Sequence, residues 1–340
     1  MYSDFARTFC ALKVWIFACS VGYAQTFALP TANRALFDRG GEDRYFVGTV
    51  GKPWTSGTFG CVRSDGRQIH EGLDIKCLQH DRSGEPQDPI FATAHGTVVY
   101  INAKPSLSNY GRYLIMRHQI DGLEIYSVYA HLSEISNKLH AGTSVRQGET
   151  IAKMGRTSNT RQKISKDRAH LHFELNLFVN DKFPAWYKKN LPGQRNDHGA
   201  WNGRNLIGLD PKAILLEQQR EGSNFSLRKH IQTQPELCRI LVREVSFPFL
   251  KRYAGLTRRN PLSERDGVRA YEIALNFNGL PIEIIPRAAS EIGGLPTGNT
   301  VLKVNKVEQE KKPCRKLLIL RGNRWELSTT GHQLIDLLTY

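Results

Sequence analysis

No apolar run beyond Tyr23 is long enough to span a bilayer, so the sequence does not describe a bundle of membrane helices. It carries no internal repeat and neither a collagenous nor a disordered composition, which sets solenoids and fibres aside. Acidic side chains are scarce: 32 Asp and Glu stand against 47 Lys and Arg, a net charge of +15. The basic excess is spread along the chain, with only short clusters at Lys188-Lys189, Arg258-Arg259 and Lys311-Lys312. A nucleic-acid reader needs a concentrated stripe or a recognisable module; neither is present, and no nucleic-acid partner is expected. Diffuse positive charge instead favours anionic surfaces such as a cell wall or membrane. What remains, 340 residues at 40% hydrophobic and 23% charged, suits one large or two ordinary folded domains.

The opening residues, MYSDFARTFCALKVWIFACSVGYAQTFALP, place Arg7 and Lys13 ahead of the apolar run Val14 to Tyr23. Gly22-Tyr23-Ala24 then puts small residues at the two positions a signal peptidase reads, so residues 1–24 are expected to be a signal peptide of an exported protein. The alternatives are a buried N-terminal helix, and a lipoprotein acylated at Cys19, to which the bulky Phe17 is poorly suited. Six cysteines become four after such cleavage: Cys61, Cys77, Cys238 and Cys314. In an oxidising compartment these permit two disulfides, and the expected pairs are Cys61 with Cys77 and Cys238 with Cys314, each within one region. Reduced, buried thiols are the alternative.

Short strand-like runs separated by glycines and polar turns fill the text from Trp54: Ile90–Ala94, Thr97–Ile101, Arg112–Arg117, Glu124–Tyr129 and Leu171–Leu177. No helix-length segment intervenes to make parallel crossovers, so the sheet is expected to be antiparallel. The fold class is therefore mainly β, an antiparallel sheet domain over 54–187 with a smaller mixed α/β C-terminal region over 235–340. Residues 25–53 form an N-terminal extension, and 188–234 a linker with a short helix opened by Pro211. In the C-terminal region strands are expected at Arg239–Val245, Ala270–Leu275, Ile282–Ile285, Thr300–Val307 and Leu317–Leu320. A final helix, Thr329–Leu338, is expected to be capped by Thr329 or Thr330.

The histidines carry the chemistry. His170 and His172 lie two apart in AHLHFEL, so on a strand both point to one face. His70 and Asp74 flank Gly72 in HEGLD, where the glycine disfavours a helix and an extended turn keeps both side chains on one side. Zinc takes imidazole nitrogen and carboxylate oxygen, and catalytic sites commonly use three protein ligands. His70, Asp74 and one of the two late histidines meet that count. The remaining late histidine, with His131 in VYAHLS, is then available for proton transfer or oxyanion stabilisation. Spacing alone does not say which late histidine is the ligand. His80, His95, His118, His140, His198, His230 and His332 take the ordinary reading of surface or satisfied core residues.

HEGLD at His70–Asp74, YAHLS at Tyr129–Ser133 and HLHFE at His170–Glu174, in that order, resemble the three signatures of the lysostaphin-like (LytM-type, duplicated hybrid motif) zinc metallopeptidases. The stretch ATAHGTVVY and the pattern Gly142, Val145, Gly148, Ile151 and Gly155 resemble that family too. The likeness covers about Trp54 to Leu177. It implies His70, Asp74 and His172 as ligands of one zinc ion (Zn2+) per chain, with His131 and His170 as the catalytic pair. It also implies an open groove on a small antiparallel fold and cleavage of peptide crosslinks in bacterial peptidoglycan. Tyr110, in Asn109-Tyr110-Gly111, stands where the family places groove residues, the alternative being an aromatic packed beside a turn glycine. Glu174 shares the strand face of His172 and is expected to orient a ligand, unless it is a surface carboxylate.

One departure from the family is the stretch GRTSNTRQKISKDRAHLHFE, with Ser158 where relatives carry glycine and a basic insertion over 159–168. That loop is expected to border the groove and alter substrate choice without removing a ligand. The competing functions are a noncatalytic wall-binding or amidase-regulating protein on the same fold, and an endopeptidase acting on proteins. The complete set of five His and Asp positions favours the peptidase over the regulator.

Overall fold

The computed structural model of the chain describes residues 26–161 and 163–340. The expected signal peptide and the Cys19 anchor lie outside these residues. Among the described residues no helix is long and apolar enough to cross a membrane.

Among the described residues, twelve strands form the N-terminal two thirds: β1 (Gly60–Arg63), β2 (Gln68–His70), β3 (Leu73–Lys76), β4 (Pro89–Phe91), β5 (Gly96–Asn102), β6 (Arg112–Ile120), β7 (Leu123–Leu132), β8 (Glu134–Ile135), β9 (Ser144–Val145), β10 (Thr150–Lys153), β11 (His170–Phe178) and β12 (Leu206–Leu209). Every pairing is antiparallel. The main sheet runs β12-β11-β7-β6-β5-β9, with β3 also on β11; β4-β10-β8 and the hairpin β1-β2 stand beside it. The mainly β antiparallel expectation is met.

Strand β11 organises this part, and all nine of its residues are buried. One edge is shared end to end: β3 pairs with His170–Phe173 and β12 with Leu175–Phe178. β7 takes the other edge. Strand β12 was not anticipated, because it is four residues long and follows the polar stretch from Asn190. The helix opened by Pro211 is present as Pro211–Glu221, with Asp210 as its N-cap and Ile214 and Leu215 buried.

The C-terminal region holds β13 (Cys238–Val242), β14 (Ala270–Leu275), β15 (Pro281–Arg287), β16 (Thr300–Val304), β17 (Leu318–Arg321) and β18 (Arg324–Leu327). Four of these form the antiparallel sheet β15-β14-β13-β16, and β17-β18 is a hairpin. The expected run to Val307 stops at Val304, because Asn305 caps a short helix, Lys306–Lys311. The last helix spans Thr329–Thr339, but its cap is Ser328, whose hydroxyl accepts from the Gly331 amide at 3.1 Å.

This region docks on the main sheet and shares its hydrophobic core. The Tyr253 hydroxyl accepts from the Phe178 amide at 2.8 Å and donates to the Glu124 carbonyl at 3.0 Å. Asn278 Nδ2 donates to the Gly208 carbonyl at 2.8 Å, and Trp186 Nε1 to Asp336 at 2.6 Å. Among the described residues a disulfide joins Cys61 to Cys314, 253 residues apart, while Cys77 and Cys238 are free and buried. Both expected pairings are thereby corrected. They assumed partners close in sequence, whereas docking carries Cys314 back to the β1 hairpin. Cys77 instead turns toward Asp88 and donates to the Gln79 carbonyl.

Candidate metal centre

Register on β11 builds the centre. His172 lies opposite Asp74 on β3 and opposite Ala130 on β7. Directly opposed residues project to one face, so Asp74 and His172 meet there, and His170, two residues earlier, joins them. His70 ends β2 and reaches β3 through Glu71-Gly72. A Cβ on Gly72 would lie 2.3 Å from the Phe173 carbonyl oxygen, so only glycine lets this link pass so close to β11.

His131 would fall on the opposite face of a regular β7. Its φ of +62° breaks the alternation and brings its ring to 4.9 Å from His170 and 5.9 Å from His172. A left-handed backbone at a non-glycine residue costs about 1–2 kcal/mol. The Tyr110 carbonyl holds it there by accepting from the His131 amide at 2.9 Å.

Three donor atoms converge. His70 Nε2 is 3.1 Å from Asp74 Oδ1, His172 Nδ1 is 3.1 Å from the same oxygen, and the two nitrogens are 3.2 Å apart. A tetrahedral zinc ion with bonds of about 2.0–2.1 Å sets its ligand atoms about 3.3–3.4 Å apart, so the donor set fits it. The outward atoms of all three residues are bonded. His70 Nδ1–H donates to the Thr58 carbonyl at 2.8 Å, and His172 Nε2–H donates to Glu174 Oε1 at 2.8 Å. Each bond orients its ring so that the other nitrogen faces the centre. Asp74 Oδ2 accepts from Arg63 Nη2 at 2.5 Å. Glu174 also accepts from the Tyr110 hydroxyl, and from Asn176 Nδ2 at 2.9 Å.

The electrostatics favour positive charge at this point. Burial alone would raise Asp74, but the imidazoles of His70, His170 and His172 hold its carboxyl well below the usual range. Burial likewise disfavours a charged His172, yet hydrogen bonds to Asp74 and Glu174 prevail and push it up to about 10. His131 behaves oppositely: burial, then His170 and His172, hold it well below the ordinary histidine value. Burial also lowers His170, against the pull of Asp74. Burial, with Glu174 and Glu71, keeps the Tyr110 phenol protonated.

The remaining late histidine is therefore His170. His170 Nδ1–H donates to the Arg168 carbonyl at 2.6 Å, and its Nε2 lies 3.5 Å from Asp74 Oδ1. His131 Nδ1–H donates to the Thr157 carbonyl at 2.9 Å. All seven residues singled out in the sequence thus lie in one cluster. Arg63, Thr58, Thr157 and Asn176 were missed. Of these, Asn176 continues the same face of β11 two residues after Glu174; the others carry no local signal. The loop that departs from the family borders the cluster through Thr157, and the Ser158 hydroxyl donates to the Asn109 carbonyl at 2.9 Å, bracing the Tyr110 turn. A groove of about 580 Å3 opens alongside, lined by Glu71, Asn109, Tyr110, His198, Trp201 and Arg204 among others.

The family model for Peptidase family M23 matches residues 68–183. The "Lipoprotein NlpD/LppB homolog" of Pseudomonas aeruginosa is 34% identical over 130 residues, 38% of this chain and 36% of that protein. The "Lipoprotein NlpD" of Yersinia enterocolitica is 36% identical over 95 residues, 28% of this chain and 84% of that one. The chain thus spans little more than a third of the Pseudomonas relative. Among solved structures, the catalytic domain of lysostaphin from Staphylococcus simulans shares 18% identity over 47% of this chain and 87% of its own, with a TM-score of 0.29.

Proposed function

The chain belongs to peptidase family M23, and on that premise we propose that it is an exported zinc endopeptidase that hydrolyses peptide crosslinks of bacterial peptidoglycan. The observation that carries this reading is the convergence of His70 Nε2, Asp74 Oδ1 and His172 Nδ1 beside two histidines in which burial disfavours the charged form. His70, Asp74 and His172 hold the ion. When bound, zinc supplies Lewis acidity, polarising water and the scissile carbonyl.

His131 and His170 each spend Nδ1–H on a backbone carbonyl and keep Nε2 as a proton acceptor. One ring takes a proton from the attacking water at Nε2. The resulting imidazolium donates from that nitrogen to the leaving amine, and the partner histidine stabilises the oxygen that gains negative charge only when its own Nε2 is protonated, since its Nδ1–H is given to a carbonyl and the Tyr110 hydroxyl donates to Glu174. Either ring fills either role in this geometry. The division of the chain near residue 187 into a catalytic unit and an accessory C-terminal region belongs to the same proposal, as does removal of residues 1–24.

The second reading, a noncatalytic wall-binding or amidase-regulating protein, draws on the names of the two relatives, lipoproteins rather than peptidases. Zinc analysis combined with digestion of purified peptidoglycan separates the two. The expected outcome is one zinc per chain and soluble peptide release by the native protein, with release lost and zinc retained in His170→Ala. Stoichiometric zinc without product across the candidate crosslinks would favour the regulator.

A further inference from the structure

Beside the metal centre, Glu71, Arg204 and Arg315 line a second pocket of about 260 Å3. Glu71 and Arg204 also line the main groove, so the two spaces adjoin at these side chains. Glu71 directly follows the ligand His70. Arg315 directly follows Cys314, whose disulfide to Cys61 fixes it to the hairpin that carries His70. None of the three side chains has a hydrogen bond or ion pair among the described residues, and Arg315 Nε is buried without a partner. Burial lowers the Arg315 pKa, the Glu71 carboxylate opposes that, and the Arg204 guanidinium adds to it, so two cations and one anion face a common space. Leu206, Leu334 and Leu337 supply apolar wall.

We propose that this pocket is a substrate subsite for a zwitterionic amino-acid head, a carboxylate and an ammonium on one carbon carried by an aliphatic chain. The two guanidinium forks take the carboxylate and Glu71 takes the ammonium. The same carboxylate repels phosphate and other multiply charged anions, and the leucines accept the methylenes. Such a head is what a diamino-acid crosslinking residue presents when one of its ends is free. Held there, it lies one residue from a metal ligand and orients the rest of the peptide along the groove toward Tyr110. This rests on the reading that the groove takes wall peptide.

Calorimetry on the zinc-loaded full chain tests it with three related probes: meso-diaminopimelate, pimelate lacking the ammonium groups, and cadaverine lacking the carboxylates. Diaminopimelate is expected to bind tightest. Arg315→Gln or Arg204→Gln should weaken it about tenfold or more, and Glu71→Gln should narrow its advantage over pimelate. Unchanged zinc content and unfolding temperature identify the variants that fold, and either arginine variant alone carries the test. Absence of diaminopimelate binding, equal affinity in native and folded arginine variants, or cadaverine binding as tightly as diaminopimelate would overturn the subsite. Binding is read without hydrolysis, so an inactive protein that still shows this order would sink the peptidase reading and leave the subsite standing.

Discussion

Asp74 has both carboxylate oxygens engaged, Oδ1 facing the histidine nitrogens and Oδ2 taking the Arg63 guanidinium. The arginine holds the carboxylate in one orientation, so that a single oxygen faces the ion. Arg63→Met should therefore lower zinc affinity about 10–100-fold while the fold persists, read by competition with a chromophoric chelator. Unchanged affinity would reduce Arg63 to a neighbour. Tyr110→Phe removes one donor to Glu174, a loss of about 1 kcal/mol, and should leave zinc in place while slowing peptide release. The ligands were legible at this scale because imidazole and carboxylate announce themselves by type and spacing. Arg63 was not, since an arginine on a short hairpin is indistinguishable in sequence from any solvated base.

At the level of elements, the link between β2 and β3 is the narrowest tolerance in the site. Gly72→Ala must displace β3 from β11, because the new Cβ would lie 2.3 Å from the Phe173 carbonyl oxygen as well as against the Glu174 side chain. A cost of about 1–3 kcal/mol is expected, seen as a lower denaturation midpoint together with weakened zinc binding. His118 on β6 offers a pH test away from the metal. It is buried, donates to the His95 carbonyl at 2.9 Å and meets the Ser127 hydroxyl at 2.7 Å; burial pushes its pKa down from 6.5 to about 4. The unfolded chain therefore binds this proton first as pH falls. The stabilisation is complete above about pH 6.5 and is lost toward pH 4, amounting to about 3 kcal/mol. Urea titrations of native protein and His118→Gln should show the variant with the shallower acid slope; identical slopes would remove His118 as the cause. The long strands β5, β6, β7 and β11 were readable from alternation between glycine turns. Strand β12 was hidden because four residues after a polar stretch give no period to detect, and its pairing is decided by the free half-edge of β11.

Across the whole molecule, the C-terminal region is bound to the main sheet by core packing, by Tyr253 and Asn278, and by the Cys61–Cys314 bond. Arg252 adds ion pairs to Glu124 at 2.8 Å and Asp181 at 2.7 Å. Cys314→Ser should cost about 2–5 kcal/mol in unfolding measurements under non-reducing conditions. Peptide mapping of the native protein should recover Cys61 joined to Cys314, and recovery of Cys61 joined to Cys77 would contradict the fold. Local sequence pattern carries the antiparallel strands and the residue types of the candidate metal site. The way the C-terminal region closes on the main sheet depends on contacts between residues hundreds apart, which no local pattern records.

That bond also has a schedule. A chain made from its N-terminus presents Cys61 and Cys77 long before Cys314, so the hairpin bearing His70 waits unsecured until Cys314, 253 residues later, has arrived. During that interval Cys77 is the thiol nearest to Cys61 in sequence, whereas in the finished fold it is buried and turned toward Asp88. Completion of the metal wall thus waits on a residue 253 positions downstream, and a product truncated before Cys314 would carry all five motif side chains without the tie that secures their first strand.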